Sequence, residues 1–286
     1  MDDGGSQTAP KRRGAGRILR KRRLMMITGS TGFLGRHLVE ASETGRWQLV
    51  APSSITLDVR DRARVLDEIA TWKPNVVVHL AYRRDDRRSI VDASESIAVA
   101  AAHAGARLIH VSTDMVFRGR ASPYVESDRA DALTDYGRWK AEADARVLTA
   151  HPLALIVRPS LLYGTDRLGT CQLDVQRAIA GAHPMTFFTD ESRCPAHAGD
   201  VAAAICRLAD RQDVMGVLHL TGPQALTRAQ FAIAISRNLG LDEGRLQFSS
   251  LAETGLVRPG VLILDTSKAQ SLGFRLRTVA EALPAG

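Results

Sequence analysis

Short apolar runs closed by glycine, proline or a hydroxyl residue alternate along this chain with longer stretches in which apolar side chains return every three or four positions. Leu24–Thr28 is such a run, and Phe33, Leu34, His37, Leu38 and Ala41 follow it at helical spacing. Trp47–Ala51 reads as a second strand and Asp61–Ala70 as a helix. Val76–Leu80 is a β-branched strand after the turn Lys73-Pro74-Asn75. Ser89–Ala104 is alanine-rich and helical, Leu108–Ser112 a strand, Asp135–Thr149 a helix, and Leu153–Val157 a strand stopped by Arg158-Pro159. Strands alternating with helices imply βαβ units and a parallel sheet covered on both faces. Beyond residue 160 the pattern loosens: loops rich in Gly, Pro, Asp and Thr surround the helices Val201–Ala209 and Arg228–Leu239 and the strand Val217–Leu220. The chain thus divides into 24–160, a nucleotide-binding unit, and 161–286, a substrate lobe with elements returning to the sheet.

Composition narrows the functions. The 286 residues are 45% hydrophobic and 24% charged, ordinary globular values, and no run reaches the ~20 apolar residues of a membrane span. The net charge of +7 suggests nucleic acid, yet residues 1–23 hold eight Lys/Arg against Asp2 and Asp3, so the remainder is almost neutral. That segment has no apolar periodicity and no aromatic among its charges. It reads as a flexible basic arm, either a solvated tail or the product of a start upstream of Met25 or Met26. It lacks the apolar core of a signal peptide. Cys171, Cys194 and Cys206 show no paired spacing, which favours reduced thiols in the cytoplasm over disulfides or a metal site. Neither nucleic acid nor membrane is expected as a partner. Arginines number 33 against 5 lysines, so a well-placed lysine is informative.

Gly29-Ser30-Thr31-Gly32-Phe33-Leu34-Gly35 joins the first strand to the first helix. Glycines there permit a tight turn and close approach of a pyrophosphate to free helix N–H groups. An NAD-selective site usually offers a carboxylate at the end of the second strand; here that strand ends in Ser53-Ser54. NADPH is therefore the expected cofactor, with NADH also accepted and Ser53 beside the ribose. Asp58 meets the adenine or merely neighbours a helix start. Tyr136 and Lys140 stand at i and i+4 of a helix start and share a face; about 0.07 such pairs are expected by chance from 4 Tyr and 5 Lys. A cation near a phenol lowers its pKa towards useful proton exchange. Thr113 ends a buried strand at the edge where ligands bind open parallel sheets, so its hydroxyl completes a constellation.

With these residues the chain resembles an extended short-chain dehydrogenase/reductase, and within it the dTDP-4-dehydrorhamnose reductase group. The matching stretches include Thr28–Gly35, Leu57–Asp61, Val111–Gly119 (VSTDMVFRG), Tyr124–Asp128, Tyr136–Asp144, Val157–Gly164 (VRPSLLYG) and Leu264–Phe274 (LDTSKAQSLGF). The resemblance implies a Rossmann-type α/β fold, a doubly wound parallel sheet with a small C-terminal lobe. It makes Thr113, Tyr136 and Lys140 the catalytic set, with Tyr136 the proton donor, and places Tyr136 and Lys140 also on the cofactor, Lys140 at the nicotinamide ribose. It assigns Gly29, Thr31, Gly32, Phe33, Leu34 and Gly35 to the pyrophosphate, Asp58 and Val59 to the adenine, and Leu80, Ala81 and Tyr82 to the middle of the cofactor. Met115, Arg158, Tyr163 and Arg193 would meet the substrate, a nucleotide-linked keto sugar, and a homodimer is compatible with the group. Several positions depart from its pattern: Met115 and Arg118 after the threonine, Asp92 in place of Asn, Trp139 before the lysine, and the run Arg83-Arg84-Asp85-Asp86-Arg87-Arg88. Three functions follow in order: a reductase, a nucleotide-sugar epimerase or dehydratase, and a non-catalytic relative of the regulatory subunit of methionine adenosyltransferase. An Asp-Glu pair would mark a dehydratase, and Thr113 is followed by Asp114-Met115.

Overall fold

A computed structural model describes Met1 and residues 23–43 and 46–284. Its centre is a six-stranded sheet in which every pairing is parallel. The strands are β1 (Arg23–Thr28), β2 (Trp47–Val50), β3 (Val76–His79), β4 (Arg107–Val111), β5 (Leu155–Arg158) and, from the second half of the chain, the edge strand Gly216–His219. Their spatial order is Gly216–His219, β5, β4, β3, β1, β2. Alternate residues of each strand supply opposite cores, as a pleated strand buried on both faces must. Met25, Ile27, Val76, Val78 and Ile109 face one side, while Met26, Val77, Leu108 and Ile156 face the other.

The first side is covered by helices α1 (Phe33–Ser42) and Ala198–Leu208, the second by α2 (Arg62–Trp72), α3 (Ala93–His103) and α4 (Asp135–Ala150). Asp61 caps α2 by accepting the Arg64 N–H at 3.0 Å, and Thr134 caps α4 through the Gly137 N–H at 3.1 Å. The expected helix over Ser89–Ala104 is broken: residues Arg88–Asp92 form a wider turn before α3 begins. The arm lies outside the described residues, apart from Met1 and Arg23. Arg23 belongs to the folded body, because it opens β1, pairs with Asp210 at 2.6 Å and lies over the Trp47 ring.

The second half is built from fragments. It contains β6 (Leu162–Tyr163), α5 (Thr170–Ile179), β7 (Thr186–Phe188), β8 (Ser192–Arg193), β9 (Ala196–His197), α6 (Ala198–Leu208), β10 (Gly216–His219), β11 (Leu226–Thr227), α7 (Arg228–Asn238) and β12 (Gln247–Ser249). Strand β6 pairs with β9, β8 with β11 and β7 with β12. Helix α5 falls where only loop was expected. Its inward stripe is thin, with Cys171, Val175 and Ile179 beside a buried Gln172. A separate core of Tyr163, Val175, Phe187, Phe231 and Ile235 holds the lobe together, while α6 and β10 return to the sheet.

Candidate active site

The sheet order reverses at β1, whose neighbours are β2 and β3, and open α/β sheets bind ligands at the carboxyl ends of strands beside such a switch. A cleft of about 920 Å³ opens there. Its floor is the turn after β1, where Gly29, Thr31, Gly32, Phe33, Leu34 and Gly35 all line the space. Gly29 has φ +74°, and a Cβ on it would stand 2.7 Å from the Ala81 nitrogen. A Cβ on Gly35 would stand 2.1 Å from the Gly29 carbonyl oxygen. Gly32 is the looser position, with its nearest neighbour at 3.2 Å, and it caps α1 without any side-chain acceptor. The fold thus needs two of these glycines for its own packing, and the third leaves a bare backbone towards the cleft. This cradle suits a pyrophosphate.

One end of the cleft is lined by Pro52, Ser54, Leu57, Asp58, Val59 and Arg60. Ser53 is not on it; its hydroxyl lies 3.4 Å from that of Thr56 and its carbonyl closes the local turn. Asp58 is no free carboxylate. Arg60 holds it through Nη2 at 2.6 Å and through its own backbone N–H at 3.0 Å, which pulls the Asp58 carboxyl down to about 2. Arg60 also reaches Asp86 at 3.2 Å. Leu80, Ala81 and Tyr82 line the middle of the cleft.

Thr113 and Tyr136 meet at the carboxyl edge of β4. Thr113 is buried and extended, and its hydroxyl accepts the Met115 N–H at 3.2 Å. A Cβ on Gly137 would stand 2.1 Å from the Met115 carbonyl oxygen, so only glycine lets the first turn of α4 seat against this loop. That contact brings the Tyr136 phenol beside the Thr113 hydroxyl. Lys140 follows on the same helix but is fully buried and does not line the cleft. Its Nζ donates to the Val111 carbonyl at 2.7 Å and lies 5.1 Å from the centre of the Tyr82 ring. Tyr82 in turn accepts a long hydrogen bond of 3.3 Å from the Tyr136 hydroxyl.

This arrangement corrects the expectation that Lys140 lowers the Tyr136 pKa. The ammonium points at a backbone carbonyl with Tyr82 beside it. Burial, reinforced by Tyr82, pushes the phenol well above the ordinary tyrosine range, and Arg84 is the charged residue that opposes the rise. Burial also depresses Lys140 to about 8, against the pull of Asp144. Asp144 pairs with Arg158 at 3.1 Å, both buried, and stands 3.6 Å from His110.

Of the four expected substrate contacts, Met115 and Arg193 line the cleft. Arg158 does not, because its guanidinium is committed to Asp144 and lies over the Phe117 ring. Tyr163 does not either; it is fully buried between His197 and Phe231. In their place the lobe supplies residues that the sequence pattern passed over. Glu191, buried, pairs with Arg193 at 3.2 Å and Arg258 at 3.1 Å, and its carbonyl accepts the Arg228 N–H at 2.8 Å. Arg228 is itself buried and lines the cleft with the other two arginines. Two guanidinium groups, Arg193 and Arg258, share the Glu191 carboxylate, and Arg228 adds a third without an ion pair of its own among the described residues. On the catalytic side Asp114 accepts the Ser160 hydroxyl at 2.6 Å and faces Arg193 at 3.8 Å. Arg193 was among the expected contacts, but no sequence signal distinguishes Arg228 and Arg258 among 33 arginines. Among the described residues no group of three His, Cys, Asp or Glu is placed to hold a metal, the three cysteines are free, and no helix is long and apolar enough to cross a membrane.

The comparisons with known proteins agree with this architecture. The solved dTDP-4-dehydrorhamnose reductase from Bacillus anthracis in complex with NADP superposes with a TM-score of 0.84 at 23% identity, covering 92% of this chain and 98% of that one. A dTDP-glucose 4,6-dehydratase from the same organism, in complex with NAD, gives 0.77 at 17% identity over 91% and 94%. In sequence the chain is 30% identical to methionine adenosyltransferase 2 subunit beta of Bos taurus over 90% of this chain and 84% of that protein. It is 31% identical to a dTDP-4-dehydrorhamnose reductase of Aggregatibacter actinomycetemcomitans over 74% and 77%. The family model described as RmlD substrate binding domain matches residues 22–285, and the chain belongs to that family.

Proposed function

We propose that this protein is an NADPH-dependent reductase of a ketone, the 4-keto group of a nucleotide-linked deoxysugar. The observation that carries the reading is the continuity of the cleft. It runs from the glycine turn, past Thr113 and Tyr136, to the arginine cluster of the lobe. The first section suits a dinucleotide pyrophosphate, the second a carbonyl, and the third the phosphates of a sugar nucleotide. Arg60 neutralises Asp58, so no bare carboxylate at that end opposes a 2′-phosphate. This supports NADPH, with NADH as the weaker alternative.

NADPH bound along the floor would supply the hydride. The chain's own residues do the rest. Tyr136 would release its proton to the carbonyl oxygen as negative charge develops there, and Thr113, whose hydroxyl donates to Asp114 at 3.2 Å, would turn that hydroxyl to the same oxygen. Lys140, held by the Val111 carbonyl beneath Tyr82, is the residue that would meet the nicotinamide ribose. Met115 borders the sugar, while Arg193, Arg228 and Arg258 hold its anionic tail. Relatives with a reductase's name and with a regulatory subunit's name both share this chain's family, and it is the Thr113–Tyr136 pairing that supports turnover. Free thiols support a cytoplasmic location. Screening nucleotide-linked keto sugars with NADPH and NADH tests the reading by loss of reduced-cofactor absorbance. A dTDP-linked 4-keto-6-deoxyhexose should consume NADPH; failure of every such sugar with a protein that binds NADPH would overturn it.

A further inference from the structure

Arg84 belongs to the charged run between β3 and α3 that departs from the pattern of the dTDP-4-dehydrorhamnose reductase group. Its guanidinium carbon lies 4.7 Å from the centre of the Tyr136 ring, and its side chain lines the cleft. No hydrogen-bond or ion-pair partner competes for it among the described residues. Among its neighbours Arg60 is occupied by Asp58 and Asp86, Arg87 by Glu142, and Lys140 by the Val111 carbonyl; Arg83 also lines the cleft, but it is Arg84 that lies over the Tyr136 ring. The groups facing the phenol are Tyr82 and Arg84 from the segment after β3 and Thr113 from the end of β4. On its own helix, Asp135 is paired with Arg138 at 2.6 Å and Lys140 is turned beneath Tyr82.

We propose that Arg84 is the cation acting directly on Tyr136, the charge that stabilises the phenolate as the proton leaves, while Lys140 serves the ribose. A guanidinium over an aromatic face is attracted to the ring, and the attraction grows as the ring becomes an anion. The proton balance is simple: the Tyr136 O–H bond breaks, its proton joins the substrate oxygen, and the electron pair remains on a phenolate beside Arg84. Tyr82, at 3.3 Å, supplies a hydroxyl to that oxygen but no charge. The proposal rests on the reductase reading only for the step it accelerates; the Arg84–Tyr136 coupling exists with or without a substrate.

The test separates the two. A difluorinated tyrosine carried at position 136 in the full chain has an intrinsically more acidic phenol, so its ionisation is followed by phenolate absorbance in the folded protein. Arg84→Gln should raise that midpoint by about 0.5–1 pH unit, the size of a cation–ring interaction converted to a pKa. Arg84→Lys should restore much of it. With the natural tyrosine, Arg84→Gln should lower kcat several-fold and move the alkaline limb of the pH profile upward, with little change in the KM for NADPH. A midpoint unmoved by Arg84→Gln would overturn the proposal while leaving the reductase reading standing. A midpoint that moves in a protein that reduces no keto sugar would uphold the coupling and sink the reductase reading. A change confined to substrate KM, with the midpoint unmoved, would make Arg84 an anion contact and contradict the proposal.

Discussion

The two sides of the cleft hold their ligand-facing groups by opposite means. On the sheet side, backbone does the work: the turn after β1 is fixed by glycine–backbone contacts at Gly29 and Gly35, and the strands beneath it are fully buried. Each buried valine or isoleucine there contributes ~1.5–3 kcal/mol, so the floor is rigid and general. On the lobe side, a buried carboxylate, Glu191, stands just before the two-residue strand β8 with arginines grouped around it. Buried charges of this kind add little net stability, yet removing one partner is costly. The difference teaches where specificity resides. On the proposed reading the sheet side would hold the dinucleotide, and Glu191 with its arginines would select the substrate's anion.

The sharpest break in the comparison lies between the two sides, at the phenol. Tyr136→Phe should lower turnover by about 10²–10⁴-fold, the usual loss when a positioned acid is removed. NADPH affinity by fluorescence titration should be retained, because the phenol contributes little to holding the dinucleotide. On the sheet side, Gly35→Ala forces a Cβ to 2.1 Å from the Gly29 oxygen, so NADPH binding should be lost together with several degrees of thermal stability. Gly32→Ala meets only a 3.2 Å neighbour; it should keep the melting temperature and weaken NADPH alone. Equal destabilisation by both would mean that the turn serves packing throughout.

The lobe should respond in the other kinetic constant. Arg228→Ala removes one of three cations and should raise the KM for a nucleotide-linked sugar about tenfold, worth ~1.4 kcal/mol, while the KM for NADPH stays put. A rise in both would place the arginines on the cofactor. A smaller effect is expected for stability against pH. Lys140 has an ordinary value of 10.5 and sits near 8 when folded. Unfolding therefore takes up protons between these values, and wild-type stability rises as pH climbs from about 8. Lys140→Met should accordingly melt higher than wild type at pH 7, by about 2–4 °C per kcal/mol recovered, and lose that advantage towards pH 10. It should also abolish turnover. A mutant less stable at pH 7 would show that the Val111 contact outweighs the burial of the charge.

What the sequence revealed follows the same division. Val76–Leu80 and Leu108–Ser112 were legible because full burial on two faces leaves an unbroken apolar run, and the structure shifts each by a residue at most. The glycine turn and the Tyr136–Lys140 spacing were legible because local geometry dictates both. Three things were not. Ser53 and Ser54 are adjacent and alike, and only the turn at Thr56 decides that Ser54 faces the cleft. Arg158 and Arg193 are both buried arginines; one is matched by Asp144 from α4 and the other by Glu191, pairings that no spacing along the chain reveals. The direction of Lys140 depends on Tyr82 and on the Val111 carbonyl, so its helix position gave the face and not the partner.

Net transfer of hydride is the central claim, and labelled cofactor measures it most directly. NADPH deuterated at the nicotinamide C4 position, offered with a dTDP-linked 4-keto-6-deoxyhexose, should yield one NADP⁺ for each product molecule. That product should carry one deuterium at the sugar carbon that held the carbonyl. If the sugar is converted while the cofactor stays reduced, or if NADPH is bound and never consumed with any nucleotide-linked keto sugar, the protein is not a reductase and the account fails.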